Sequence, residues 1–120
     1  MKENRKYARL DVGLELAFER QGPGATLKGS GSTKNVSATG FCFVTRAPLG
    51  VGEKISGVLR FPTGEKIPFE SRVKWVSVVN ALFCEVGVEI SKISVEDQNR
   101  YLLFVCDLLY DRLQGLRLIQ

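Results

Sequence analysis

Histidine is missing from the 120 residues, and with it go the commonest general base and the commonest metal ligand. Cysteine is scarce: Cys42, Cys84 and Cys106 are odd in number, widely spaced and set in apolar segments. Neither a disulfide framework nor a zinc spacing can be assembled from them, so they read as buried, reduced thiols. Long apolar runs are lacking too. The longest, from Tyr101 to Cys106, stops at Asp107, far short of the ~20 residues of a spanning helix. The polar, basic N-terminus has no apolar stretch behind it of the kind a secretory signal carries, so the expected location is the cytoplasm, with no membrane insertion. Glu85 and Glu89 alternate outward on one segment, but no acid, base or nucleophile surrounds them in a recognisable pattern, and they read as solvated. Neither catalysis nor a bound metal or cofactor is expected.

What is present is a modest excess of positive charge, 17 Lys and Arg against 13 Asp and Glu. This favours anionic partners but falls short of the dense basic runs of nucleic-acid binders. Phe41 and Phe43 share one face of their segment, yet no Arg or Lys interleaves with them, which weighs against a small barrel that binds single-stranded nucleic acid. The length suits one domain.

Residues 1–9 hold four basic side chains, with Met1, Tyr7 and Ala8 the apolar members, and read as a flexible arm ahead of a folded domain over 10–120. Whether the arm is helical or extended, the spacing of Arg5 and Arg9 aims both guanidinium groups to one side. From Leu10, strict alternation (Leu10, Val12, Leu14, Leu16, Phe18) predicts a half-buried strand, closed by Gly22 and Pro23. A short strand is read over 25–28, with Gly29, Ser30, Gly31 and Ser32 as flexible punctuation and a fresh start near Thr33. Phe41 to Thr45 is apolar on both faces; Ile55, Leu59 and Phe61, then Ile67, Phe69, Ser71, Val73 and Trp75, then Leu82, Cys84, Val86, Val88 and Ile90 form three further alternating sets. By this parity Trp75 shares a core face. About six strands without an intervening helix predict an all-β antiparallel barrel or sandwich rather than a parallel α/β fold.

Ser94 is placed as the N-cap of a C-terminal helix over about 94–115, with Glu96 and Asp97 in its first turn. Its polar stripe, through Asp97, Arg100, Asp107, Asp111 and Gln114, is narrow. One barrel face cannot cover the apolar remainder, which predicts burial deep in the domain, a homodimer through this helix, or docking on a partner.

The stretch Asn35-Val36-Ser37-Ala38-Thr39-Gly40 joins two strands. Asn and Ser side chains bond nearby backbone in turns and Gly permits positive φ, so a tight turn presenting polar groups is expected. Arg5-x-x-x-Arg9 followed by Asn35-x-Ser37-x-x-Gly40 resembles the two-part signature of PilZ domains, bacterial receptors for cyclic di-GMP. The segments Ile55 to Pro62, Ser71 to Val76 and Gly87 to Ile90 resemble later strands of that family, so the likeness covers nearly the whole chain. Where many members carry a further Arg and a second Gly, Asn4 and Phe41 stand here.

The resemblance implies an all-β fold, a six-stranded antiparallel PilZ-like β-barrel with a C-terminal helix, that binds cyclic di-GMP through Arg5, Arg9, Asn35, Ser37 and Gly40, with Lys6 adding charge and Trp75 as an aromatic neighbour. Arg suits this ligand because its planar fork can bond phosphate, reach a guanine edge or stack on a base. The implied output is ordering of the arm and contact with an effector protein, in control of motility, attachment or polysaccharide. A ligand-independent adaptor of the same fold, working through its helix, is the alternative.

Overall fold

The structure, a computed structural model, describes residues 10–22 and 25–119, without the side chains of 21, 112 and 115–119. The expected arm, and with it Arg5, Lys6 and Arg9, lies outside the described residues. Among the described residues the chain forms six strands and one helix: β1 (Glu15–Gln21), β2 (Thr26–Val36), β3 (Gly40–Thr45), β4 (Lys54–Arg60), β5 (Lys66–Val78), β6 (Cys84–Lys92) and α1 (Val95–Ile119). The strands close into an antiparallel barrel in the order β1-β2-β3-β6-β5-β4, with β1 pairing to both β2 and β4.

Alternating apolar residues fill the interior. Leu16 and Phe18 of β1, Phe41 and Phe43 of β3, Ile55 and Leu59 of β4, and Ile67, Phe69 and Val73 of β5 are all buried. Phe18 lies against Phe43 at 5.4 Å between ring centroids, and Phe41 meets Phe69 edge-on at 5.2 Å, the geometry that aromatic quadrupoles favour. The β4–β5 hairpin turns at Gly64, whose φ of 91° suits a residue without Cβ.

Three strands, β1, β2 and β6, depart from the sequence expectation. The first begins at Glu15, not Leu10. Leu10 instead forms an isolated bridge with Val36, and Thr33 Oγ1 accepts from Leu14 N at 2.7 Å and donates to Val12 O at 2.6 Å. Leu10 and Leu14 stay buried because this anchored stretch packs on the core cluster without ladder pairing. The second difference is β2, which runs unbroken through Gly29, Ser30, Gly31 and Ser32. A Cβ on Gly29 would stand 2.6 Å from Phe18 Cζ, and one on Gly31 would stand 2.5 Å from Val44 O. These glycines answer a need for close approach rather than flexibility.

Helix α1 opens as expected: Ser94 Oγ accepts from Asp97 N at 3.1 Å, and Ser94 O accepts from Gln98 N. Tyr101 is buried, and Phe104 stacks on Phe61 with centroids 4.1 Å apart. Past that point the helix runs on to Ile119, longer than expected, while Leu103, Tyr110 and Leu113 remain 64%, 61% and 53% exposed. Deep burial of the helix is therefore set aside. The thiols also differ from expectation: Cys42 is buried, Cys84 half-buried, and Cys106 exposed because it lies on the helix face turned from the barrel. Leu82 sits in the β5–β6 turn, exposed, rather than on β6. No described helix is long and apolar enough to cross a membrane.

Candidate functional site

The turn between β2 and β3 is held from inside. Ser37 N donates to Gly40 O at 2.8 Å, and Ser37 Oγ donates to the same carbonyl at 3.2 Å. Tyr101 reaches across from α1, its hydroxyl donating to Ser37 O at 2.6 Å with Gly40 O at 3.3 Å. Burial pushes the Tyr101 phenol well above its ordinary range, so it stays a protonated donor. Positive φ was expected at Gly40, but among the described residues it occurs at Gly52 and Gly64. At Gly40 a Cβ would instead collide with the carbonyl of Val88 on β6. Ser37 is likewise buried, with its hydroxyl engaged inside the turn. Both residues shape the turn, and Thr39 O accepts from Ile90 N at 2.9 Å to tie it to β6.

Asn35 and Trp75 are brought together by two irregularities. In β2 the register steps from Thr33↔Phe43 to Asn35↔Cys42, leaving Lys34 as an extra residue; in β5 it steps from Val73↔Val88 to Trp75↔Gly87, leaving Lys74 extra. A β-bulge re-aims the side chains that follow it. Here each bulge turns one residue to the outer wall, and Cys42 pairs with Gly87 between them. The result is an outward row across four strands: Asn35, Cys42, Gly87, Trp75. Alternation alone puts Trp75 in the core; the bulge at Lys74 overrides it, and Trp75 is 37% exposed. Its indole lies over Gly87, where any Cβ would collide with the ring.

Charges flank the row. Lys34 Nζ meets Glu85 Oε1 at 2.7 Å, and that hydrogen bond, then the carboxylate's charge, raises the Lys34 pKa. Glu85 is thus paired and largely covered, not solvated as expected, while Glu89 faces Lys74 at 3.7 Å. Arg72, cross-strand from Glu89, is exposed and donates to Gly52 O at 2.8 Å. Lys34 and Gly87 carry no motif that marks them in the sequence, although a Gly inside an alternating strand is a signal of close approach.

This wall offers an amide, an aromatic plane and cations on one surface. These are the group types that suit a planar, anionic, hydrogen-bonding ligand, since an amide can bond a base edge and an indole can stack on a base face. Among the described residues no group of three or more potential ligands could hold a metal ion.

The PilZ domain family model matches residues 3–105. A comparison with the curated proteins gave no match. Among solved structures, the PilZ domain of YcgR from Escherichia coli with c-di-GMP superposes with a TM-score of 0.72 at 11% identity, over 96% of this chain and 98% of that one. The Bacillus subtilis inhibitor of motility MotI/DgrA gives 0.70 at 21%, and the K. pneumonia MrkH–c-di-GMP complex gives 0.75 at 16%, over 94% and 95% of this chain. This chain spans about half the length of those two, 53% and 55%. With the family matched over most of its length and a six-stranded barrel closed by a C-terminal helix, the chain belongs to the PilZ domain family.

Proposed function

We propose that this protein is a cytoplasmic cyclic di-GMP receptor, not an enzyme, and that the ligand lies on the outer row from Asn35 to Trp75. The observation that carries this reading is the pair of bulges that set the signature Asn35 and the sole tryptophan on one surface beside Lys34, Lys74 and Arg72. Arg5 and Arg9 would grip phosphate or guanine, Lys6 would add charge, and Ser37 and Gly40 would fix the turn that presents Asn35. Ligand-induced ordering of residues 1–9 would then create a surface for an effector protein. E. coli YcgR and K. pneumonia MrkH, solved with c-di-GMP, support the ligand, and the B. subtilis inhibitor of motility supports motility among the outputs.

The test is calorimetric titration of the parent and of Arg9→Ala with cyclic di-GMP, with GTP and single-stranded DNA as controls. Micromolar or tighter binding by the parent, lost in Arg9→Ala, is expected, and its stoichiometry distinguishes one ligand from two. Absence of binding by the parent sinks the reading. A second reading, action through protein contact at α1, is favoured by the exposed Leu103, Tyr110 and Leu113 and includes a homodimer through that helix.

A further inference from the structure

A second surface adjoins the Asn35–Trp75 row and is independent of it. On the outer wall of β4, β1, β2 and β3 lies an open trough of about 1130 Å³. Its floor is low because the outward residues there are small: Ala17 pairs with Ser30 across β1 and β2, and Ser32 follows two residues on. Arg60 and Lys66, cross-strand partners on β4 and β5, border one side, and Arg46, just past β3, borders the other. Lys28 lines it along β2, and Glu15 is the single carboxylate of the lining.

These cations are not consumed by the fold. Arg46, Arg60 and Lys66 are exposed and form no ion pair among the described residues, while Lys28 reaches Glu19 at 3.8 Å with most of its side chain in solvent. Clustered like charges repel, and the cost is relieved when an anion enters. The trough is concave, which does not match a flat bilayer. It presents one exposed aromatic ring, Phe83, where a single-stranded nucleic acid calls for a series of stacking platforms. Its volume exceeds the common range of ~300–1,000 Å³ for small-molecule pockets. Apolar Val44 and Val58 beside the cations suit a chain that alternates carboxylates with aliphatic side chains. A closed barrel has no free strand edge, so recognition there runs through side chains rather than strand addition.

We infer that this trough binds an acidic, extended segment of a partner protein, with Arg46, Arg60, Lys66 and Lys28 as the anion-reading side chains. Nothing in the inference requires cyclic di-GMP. The test uses the full chain and a short fluorescein-labelled peptide of Asp, Glu, Leu and Gly, read by fluorescence anisotropy at low salt. Saturable binding is expected, weakened about tenfold or more by Arg46→Glu with Arg60→Glu. Lys54→Glu with Lys92→Glu, an equal charge change outside the trough, should leave it nearly intact. Ser30→Leu with Ser32→Leu, which raises the floor without altering charge, should also abolish binding. Absence of binding overturns the inference, as does equal loss in the two charge-reversed proteins, which would mean diffuse attraction. Displacement of the peptide by single-stranded DNA at lower concentration would assign the trough to nucleic acid and overturn it likewise. Because cyclic di-GMP titration is a separate measurement, failure here leaves the receptor reading standing, and the converse holds.

Discussion

Tyr101 sits on the helix, yet its hydroxyl serves the β2–β3 turn, 64 residues away in sequence. Tyr101→Phe removes a donor from a buried carbonyl, and a loss of ~1–2 kcal/mol is expected by urea denaturation. The same group gives a pH signature. Its folded pKa is raised, so the protonated form is the one the fold holds. The unfolded phenol titrates near ~10. The Tyr101 contribution is therefore complete below that pH and declines above it, by about 1.4 kcal/mol per pH unit. The difference between parent and Tyr101→Phe should be flat from neutral pH to about 9 and shrink beyond about 10. Trp75 offers a second readout at this scale, since it is the sole tryptophan and lies on the proposed ligand row. Cyclic di-GMP should change its emission saturably. Gly87→Ala, which drives a methyl into the indole, should shift the unliganded spectrum and weaken binding. An unchanged spectrum would contradict the packing of Trp75 on Gly87.

At the scale of elements, the bulges and the helix carry the predictions. Parity makes Trp75 a core residue because alternation assumes one residue per pleat step. Lys34 and Lys74 each break that assumption, and nothing local distinguishes a lysine inserted as a bulge from one in a regular strand. Glycines 29 and 31 mislead for the opposite reason: their composition reads as a linker, whereas the close approach that requires them comes from Phe18 and Val44 on neighbouring strands. Helix α1 is attached through its first half, by Tyr101 and by the Phe61–Phe104 stack. Phe104→Ala should cost about 2–3 kcal/mol, checked by thermal or urea unfolding. Leu109→Glu with Leu113→Glu alters exposed positions, so stability should change by less than about 0.5 kcal/mol each. If α1 is a dimer interface, light scattering should show the parent's mass halved in this double variant, and an unchanged mass would remove the homodimer.

For the whole molecule, the described fold is elongated, 55 × 35 × 25 Å. Nucleotide binding in the proposed mode engages the folded state alone and should stabilise it in proportion to ligand. At a hundredfold excess over Kd the gain is about 2.7 kcal/mol, read as a rise in Tm that Arg9→Ala lacks. A Tm insensitive to cyclic di-GMP would oppose the receptor reading. The two outer surfaces meet along β2 and β3, where Ser32 of the trough lies near Lys34, which flanks the row, and Val44 lies near Cys42 of the row. Nucleotide and acidic peptide can therefore be tested together on one protein.

By itself, the sequence determined the family signature, the alternating sets that close the barrel, the Ser94 cap and the excess apolar surface of the helix. All of these depend on residue type and spacing along the chain, which local physics reads directly. The tertiary structure alone decided that Trp75 faces outward, that Gly40 and Gly31 yield to carbonyls of other strands, that Glu85 is paired, and that Tyr101 holds the signature turn. Each of those depends on an atom supplied from a distant strand or from the helix, and barrel closure determines which distant atom that is.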